Sequence, residues 1–455
     1  MPSISGTFNT ADASWHRTAA AQTRRKCPSL PVEIWLRIFS LATLVPGALD
    51  TDDYGAIQAF CRDHHGISQH NRYDAVMDVK RSISLVCRSW HALISTTNLY
   101  EYVLIRNGHQ AIQVANLLKE DRDEHSQLAP PRASRIMRLE LALEGVHLWT
   151  REHAMALNKI IQLCTNLVCF STVFSTADAF YFYSPQLIRV LADTATRKTK
   201  IQRLELKADR PILSAIIGAL ELSLEVLWIQ IPRRLTCVPS PWTPNLPNLT
   251  TFVSSLSLGG LFKDAAMPAL RNLSTSDAVD RAGILHRHGP ALSQLALPNL
   301  ANLKEHVMSC PNLACLDITY DVPIAGTLLP FGIPFPSLVQ VTLDAPFIFR
   351  RTLWAGDDGT APLYLDNLRS VLLTLVDPAV FPALHTLRFI LPLRLTLREP
   401  EDSDASLPGW TLTFWQAWLN ACMRRGIKIQ ITVGARGVFS QKWANLTLDL
   451  VEYLM

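Results

Sequence analysis

Between residues 247 and 389 the apolar positions obey a repeating rule. Six times a proline is followed by an apolar residue at +2, another at +5 and usually a third at +7. The clearest copies are Pro290-Ala-Leu292-Ser-Gln-Leu295-Ala-Leu297, Pro311-Asn-Leu313-Ala-Cys-Leu316-Asp-Ile318 and Pro382-Ala-Leu384-His-Thr-Leu387-Arg-Phe389; the others begin at Pro247, Pro268 and Pro336. Positions +5 and +7 alternate as in a strand, and +2 turns the chain inward just before it, so each copy predicts one strand of a stacked sheet. Successive starts are 21, 22, 21, 25 and 46 residues apart, and the last interval, close to two periods, predicts one degenerate repeat in between. Copies without the proline occur at residues 136–141, 167–170, 201–206 and 224–229, which starts the array near residue 133 and carries it almost to the end. Residues 365–375 and 415–423 read as helices of the array, each followed by a strand-like run.

The N-terminal pattern has a different period. Pro31 suits the first turn of a helix, with Ser29 near its cap. Ile34 and Ile38, and Trp35 and Phe39, lie four apart, so apolar side chains cover more than one face of a short helix. Further on, Ile83, Val86, Cys87, Trp90, Leu93 and Ile94 form an amphipathic helical stripe, broken at residues 95–98 and followed by a β-rich run to Ile105. Periodicity alone allows a helical hairpin that packs on the neighbouring domain.

Composition narrows the possibilities. The 455 residues are 48% hydrophobic and 18% charged, which excludes a disordered chain and leaves room for a large core. A net charge of +4, not gathered in one block, argues against nucleic-acid binding. The first 20 residues carry no secretory pattern, which predicts an intracellular chain, cytoplasmic or nuclear. The uncharged stretches 235–262 and 322–343 contain several prolines and many polar side chains, so no membrane helix is expected. Nine cysteines without CxxC pairing read as reduced, mostly packed thiols. Cys164 and Cys169, and again Cys310 and Cys315, occupy the same two places in their repeats; register explains both pairs without a metal. Cys61, His64, His65 and His70 have short spacing, yet the adjacent histidines cannot easily face one ion, so neither metal nor cofactor is expected. No catalytic motif for hydrolysis, phosphate binding or dinucleotide binding is found, and the chain is read as non-enzymatic.

Specific residues sharpen the N-terminal reading. Leu30-Pro31, Glu33-Ile34 and Ile38-Phe39, then Leu85-Val86-Cys87-Arg88 with Trp90 and a following Leu99, are similar to the F-box pattern position by position over about residues 28–105. The resemblance implies a three-helix module that binds a Skp-family adaptor and, through it, the cullin and RING subunits of an SCF-type ubiquitin ligase. It implies Leu30, Pro31, Ile34, Ile38, Phe39, Leu85, Val86, Cys87 and Trp90 as adaptor contacts; internal packing of the hairpin is the competing role for the same residues. The chain departs from the pattern in having 44 residues between Phe39 and Ser84, read as a surface loop inserted at about 45–77.

The spacing of the repeats resembles that of leucine-rich repeats, without their regular asparagine after the strand. The expected fold is therefore α/β. A disordered segment at 1–27 and a small helical F-box-like module at 28–105 precede a linker at 106–132 and an irregular leucine-rich-repeat-like α/β solenoid at 133–455. The expected function is a substrate receptor that holds an unidentified target protein on its repeats. The alternative is a non-catalytic scaffold whose hairpin caps the open end of the solenoid.

Overall fold

Helix α1 (Val32–Ala42) starts where Pro31 ends the extended chain: the Pro31 carbonyl accepts the Ile34 and Trp35 amides at 3.1 and 3.3 Å. At the other end the Thr43 hydroxyl and amide close on the Phe39 carbonyl. In this computed structural model the described residues are 30–61, 67–96, 101–124, 131–143, 149–173, 185–194, 201–208, 210–230, 242–254, 260–297, 303–319, 334–344, 369–391 and 409–433. Ser29 lies outside them. The next helices are α2 (Tyr54–Cys61), α3 (Ile67–Val86) and α4 (Arg88–Thr96).

Two expectations change here. The stripe from Ile83 to Ile94 is divided between α3 and α4, because the helix is interrupted at Cys87, whose carbonyl then accepts the His91 amide at 2.9 Å. The inserted stretch 45–77 is not a loose surface loop: it contains α2 and the first half of α3, and Val45, Ala48, Ile57 and Phe60 are buried. Apolar side chains in an insertion this long can bury themselves only on another element.

That element is a 12-stranded sheet, all parallel, whose strands follow chain order: β1 (Tyr102–Ile105), β2 (Arg138–Leu141), β3 (Cys169–Ser171), β4 (Arg203–Lys207), β5 (Val226–Gln230), β6 (Thr251–Ser254), β7 (Asn272–Thr275), β8 (Gln294–Leu297), β9 (Cys315–Thr319), β10 (Gln340–Asp344), β11 (Thr386–Leu391) and β12 (Lys428–Val433). Helices α5 (Gly108–Glu124), α6 (Arg151–Leu163), α7 (Pro185–Thr194), α8 (Arg210–Leu220), α9 (Ala278–His288), α10 (Leu303–Met308) and α11 (Gly409–Arg424) form the returns between strands. Strict nearest-neighbour order with helical returns is a solenoid-like α/β arrangement.

Each of the six proline copies supplies one strand, β6 to β11. The +2 residues Leu249, Leu270, Leu292, Leu313, Leu338 and Leu384 are all buried, and so are Phe252, Leu273, Leu295, Leu316, Val341 and Leu387 at +5. At +7 the first two copies place Ser254 and Thr275, buried like their apolar counterparts. The copies without proline become β2 to β5. Below the sheet these side chains join Leu157, Ile160, Ile161, Leu213, Ile216 and Ile217 from α6 and α8 in one core. Leu313→Ala in this core is expected to cost about 2–5 kcal/mol, from lost apolar burial and the cavity left behind. Urea unfolding measures it, and a loss below about 0.5 kcal/mol, the size of an ordinary surface change, would contradict the placement.

The array begins earlier than residue 133. Strand β1 pairs with β2 from Tyr102↔Arg138 to Ile105↔Leu141, and α5 packs in the helical layer, so α5 belongs to a return of the array where a linker was expected at 106–132. No degenerate repeat separates the last two proline copies in the sheet, because β10 and β11 pair directly from Gln340↔Thr386 to Asp344↔Ile390. Residues 369–375 and α11 are helical where helices were expected. Among the described residues no helix is long and apolar enough to cross a membrane.

Candidate docking surface

The nine residues of the expected adaptor contact divide into two sets. Leu30, Pro31, Ile34, Ile38, Leu85, Val86 and Cys87 are exposed, Leu85 at 84% and Val86 at 59%. Phe39 is buried and Trp90 is half-buried. These two meet Trp35: the ring centroids of Trp35 and Trp90 are 4.6 Å apart, those of Phe39 and Trp90 5.0 Å, and those of Trp35 and Phe39 5.8 Å. The aromatic cluster ties α1 to α4. The same helix then cannot turn Ile34 and Ile38 inward, and the interruption at Cys87 leaves Leu85 and Val86 outside. Val32, Leu41 and Leu44 are exposed as well, which the motif comparison did not indicate. Exposed apolar side chains concentrated on one short helix and one helix junction are what a docking surface offers and what a solvated surface avoids.

Behind this surface, α3 and α4 pack across β1 and α5, leaving a cavity of about 330 Å³ lined by Met77, Lys80, Ile94, Leu104, Val114 and Leu118 among others. Burial pulls the Lys80 ammonium down to about 8, against the opposing pull of the Glu101 carboxylate. Asp74 of α3 receives Arg106 on both carboxylate oxygens at 2.8 Å, and Tyr73 stacks edge-on against Tyr102 at 4.8 Å.

The face of the sheet opposite the return helices α5–α11 carries a site that motif reading missed. Arg138 and Glu140 on β2, and Arg203 and Glu205 on β4, are fully buried there. Arg138 donates to both Glu205 oxygens, Nη1 to Oε1 at 3.0 Å and Nη2 to Oε2 at 2.7 Å, and to Glu140 from Nη2 at 2.7 Å. Arg203 Nε donates to Glu205 Oε1 at 2.6 Å, and the Tyr102 hydroxyl to Glu140 at 2.7 Å. Two cations and two anions balance, as buried charges must. Burial alone would push the Glu205 carboxyl up; the two guanidiniums override it and hold it at about 2. Burial pushes the Cys169 thiol beside them up to about 12. The available signal was the tetrapeptide Arg-Leu-Glu-Leu, written at 138–141 and again at 203–206. In a strand whose leucines face one core, the alternate Arg and Glu must share the other face.

Cys164 and Cys310 are buried in the helix-side core, while Cys169 and Cys315 lie on the opposite face of their strands. They are free thiols in equivalent registers, as expected for packing. His64 and His65 lie outside the described residues, and nothing is described of the side chains of Cys61 and His70. Compared with known proteins, the chain matches no family model and shows no significant similarity to any curated protein.

Proposed function

We propose that this chain is a non-catalytic substrate receptor of an SCF-type ubiquitin ligase, an F-box protein whose repeats resemble leucine-rich repeats. In this reading α1 and the junction of α3 and α4 bind a Skp-family adaptor, and through it cullin and RING subunits. A target protein held by the repeats then gains a high effective concentration at the ubiquitin-charged enzyme.

The observation that supports this reading best is the division of the motif residues. Seven of the nine are exposed while two aromatics hold their helices in place. A hairpin that served only as a terminal cap would bury such residues against the array. The α3–α4 pair does pack on the β1 end of the sheet, which favours the capping scaffold as the second reading, but Leu85 and Val86 face away from that contact.

Purified Skp-type adaptor tests the proposal directly. The receptor reading expects a stable complex on mixing, seen by size-exclusion chromatography, and a target that accumulates in proximity labelling when the proteasome is inhibited. A folded protein that leaves the adaptor free would retain only the scaffold.

A further inference from the structure

The inserted stretch lies on the face of the sheet opposite the return helices. Val45, Ala48, Ile57 and Phe60 form one buried cluster with Tyr102 and Leu104 of β1, Ala142, Val173, and Val226 and Trp228 of β5. The charge network is the floor of this contact. Arg138 Nη1 donates to the Ala48 carbonyl at 3.1 Å; Arg203 Nη1 donates to the carbonyls of Gly47 at 2.6 Å and Asp50 at 2.8 Å. Gly47 adopts φ 78°, a conformation that side chains disfavour, and its amide donates to the Asp50 carboxylate at 2.9 Å, forming a tight turn. The Phe60 ring lies over both guanidiniums, 4.6 Å from that of Arg138 and 5.4 Å from that of Arg203. Shape, apolar burial and directed hydrogen bonds therefore coincide on one segment of chain.

We infer that residues 45–60 are the permanent occupant of the face over β1 to β5 opposite the return helices, and that this contact fuses the N-terminal helices and the repeat array into one rigid body. Three consequences follow from the geometry. A protein ligand of the repeats is excluded from this face of β1–β5, whatever binds elsewhere. The C-terminal end of α1 is anchored to the array through Val45, so the exposed row on α1 keeps a fixed direction relative to the repeats. The guanidiniums reach out of the sheet to the backbone carbonyls of this turn, which makes the contact specific in register and not merely apolar.

Native-state hydrogen exchange on the full chain, without any partner, tests this. The amides of residues 45–60 and those of β3 and β4 are expected to open together, with protection matching within about tenfold. Ile57→Ser combined with Phe60→Ser should speed exchange in residues 45–60 and at the end of α1 by more than about a hundredfold, leaving β8–β10 unchanged. Residues 45–60 exchanging more than about a hundredfold faster than β3 and β4 in the unaltered chain would show a displaceable segment and overturn the inference. Unchanged protection in the double variant would overturn it equally. Neither result depends on adaptor binding.

Discussion

Replacing Glu205 by alanine is expected to lower the unfolding free energy by about 3–5 kcal/mol, because it leaves a buried ion cluster with one partner removed. In the intact chain Glu205 takes hydrogen bonds from Arg138 and Arg203, and all four charged groups are shielded from water. Without it, two guanidiniums share the single carboxylate of Glu140 in a site that water does not enter. Both also hold the carbonyls of the inserted turn, so the loss spreads from the sheet to residues 45–60. Urea unfolding followed at both the helices and the aromatic residues measures it. A loss under about 1 kcal/mol, the size of an exposed ion pair, would mean the cluster is wet.

The same carboxyl predicts a pH dependence with a definite sign. Its folded value of about 2 lies below its ordinary value of 4.5, so the native state binds this proton less readily than the unfolded chain. Its contribution is therefore fully present above about pH 4.5 and disappears as the pH falls through about 2, amounting to about 3 kcal/mol at 1.36 kcal/mol per unit. The stability difference between the wild-type chain and Glu205→Gln should narrow over that window. A gap that is the same at pH 5 and pH 2.5 would contradict the assignment.

The second large effect is on binding. If the chain is the proposed receptor, Ile38→Asp together with Leu85→Asp is expected to weaken its binding to a Skp-type adaptor by at least about a hundredfold, since truncated hot-spot anchors cost about 2 kcal/mol or more each and a buried charge adds to that. Both residues are exposed in the free chain, so thermal stability should change by no more than about 0.5 kcal/mol equivalent. Phe39→Ala gives the opposite pattern. It removes the buried ring that packs on both Trp35 and Trp90 and should cost about 3–5 kcal/mol of stability, with binding lost only as the helices separate. Isothermal titration beside a melting curve separates the two effects. Full affinity in the double aspartate variant would remove the support that the exposed motif residues give to the receptor reading.

How much was legible depended on whether the cause was local. The leucines at +2 and +5 announce their strands because each repeat faces the same core with the same geometry, and the start of α1 at Pro31 follows from a proline's own backbone. The break at Cys87 was hidden, since the apolar spacing from Ile83 to Ile94 runs across it unbroken. Nor could spacing show that β10 meets β11 directly: an interval of 46 residues fits a missing repeat as well as a long return. The nine motif residues looked alike in sequence, and only packing separated the seven that face outward from Phe39 and Trp90.

The amino-acid sequence by itself determined the strands β2 to β11 of the repeats, their order and which face of each is leucine-lined, because these follow from periodicity and from backbone preferences within a few residues; helices α2 and α5, in stretches read as loop and linker, did not follow from it. Tertiary structure alone decided that the insertion closes over β1–β5, that the two Arg-Leu-Glu-Leu strands pair charges across β3, and that seven of the nine residues read from the motif stay exposed while Phe39 and Trp90 pack inward. Those outcomes depend on which distant surfaces meet. A buried charge or an apolar side chain is stable only beside its partner, and partners up to 156 residues apart, such as Gly47 and Arg203, are joined by the fold and not by the chain.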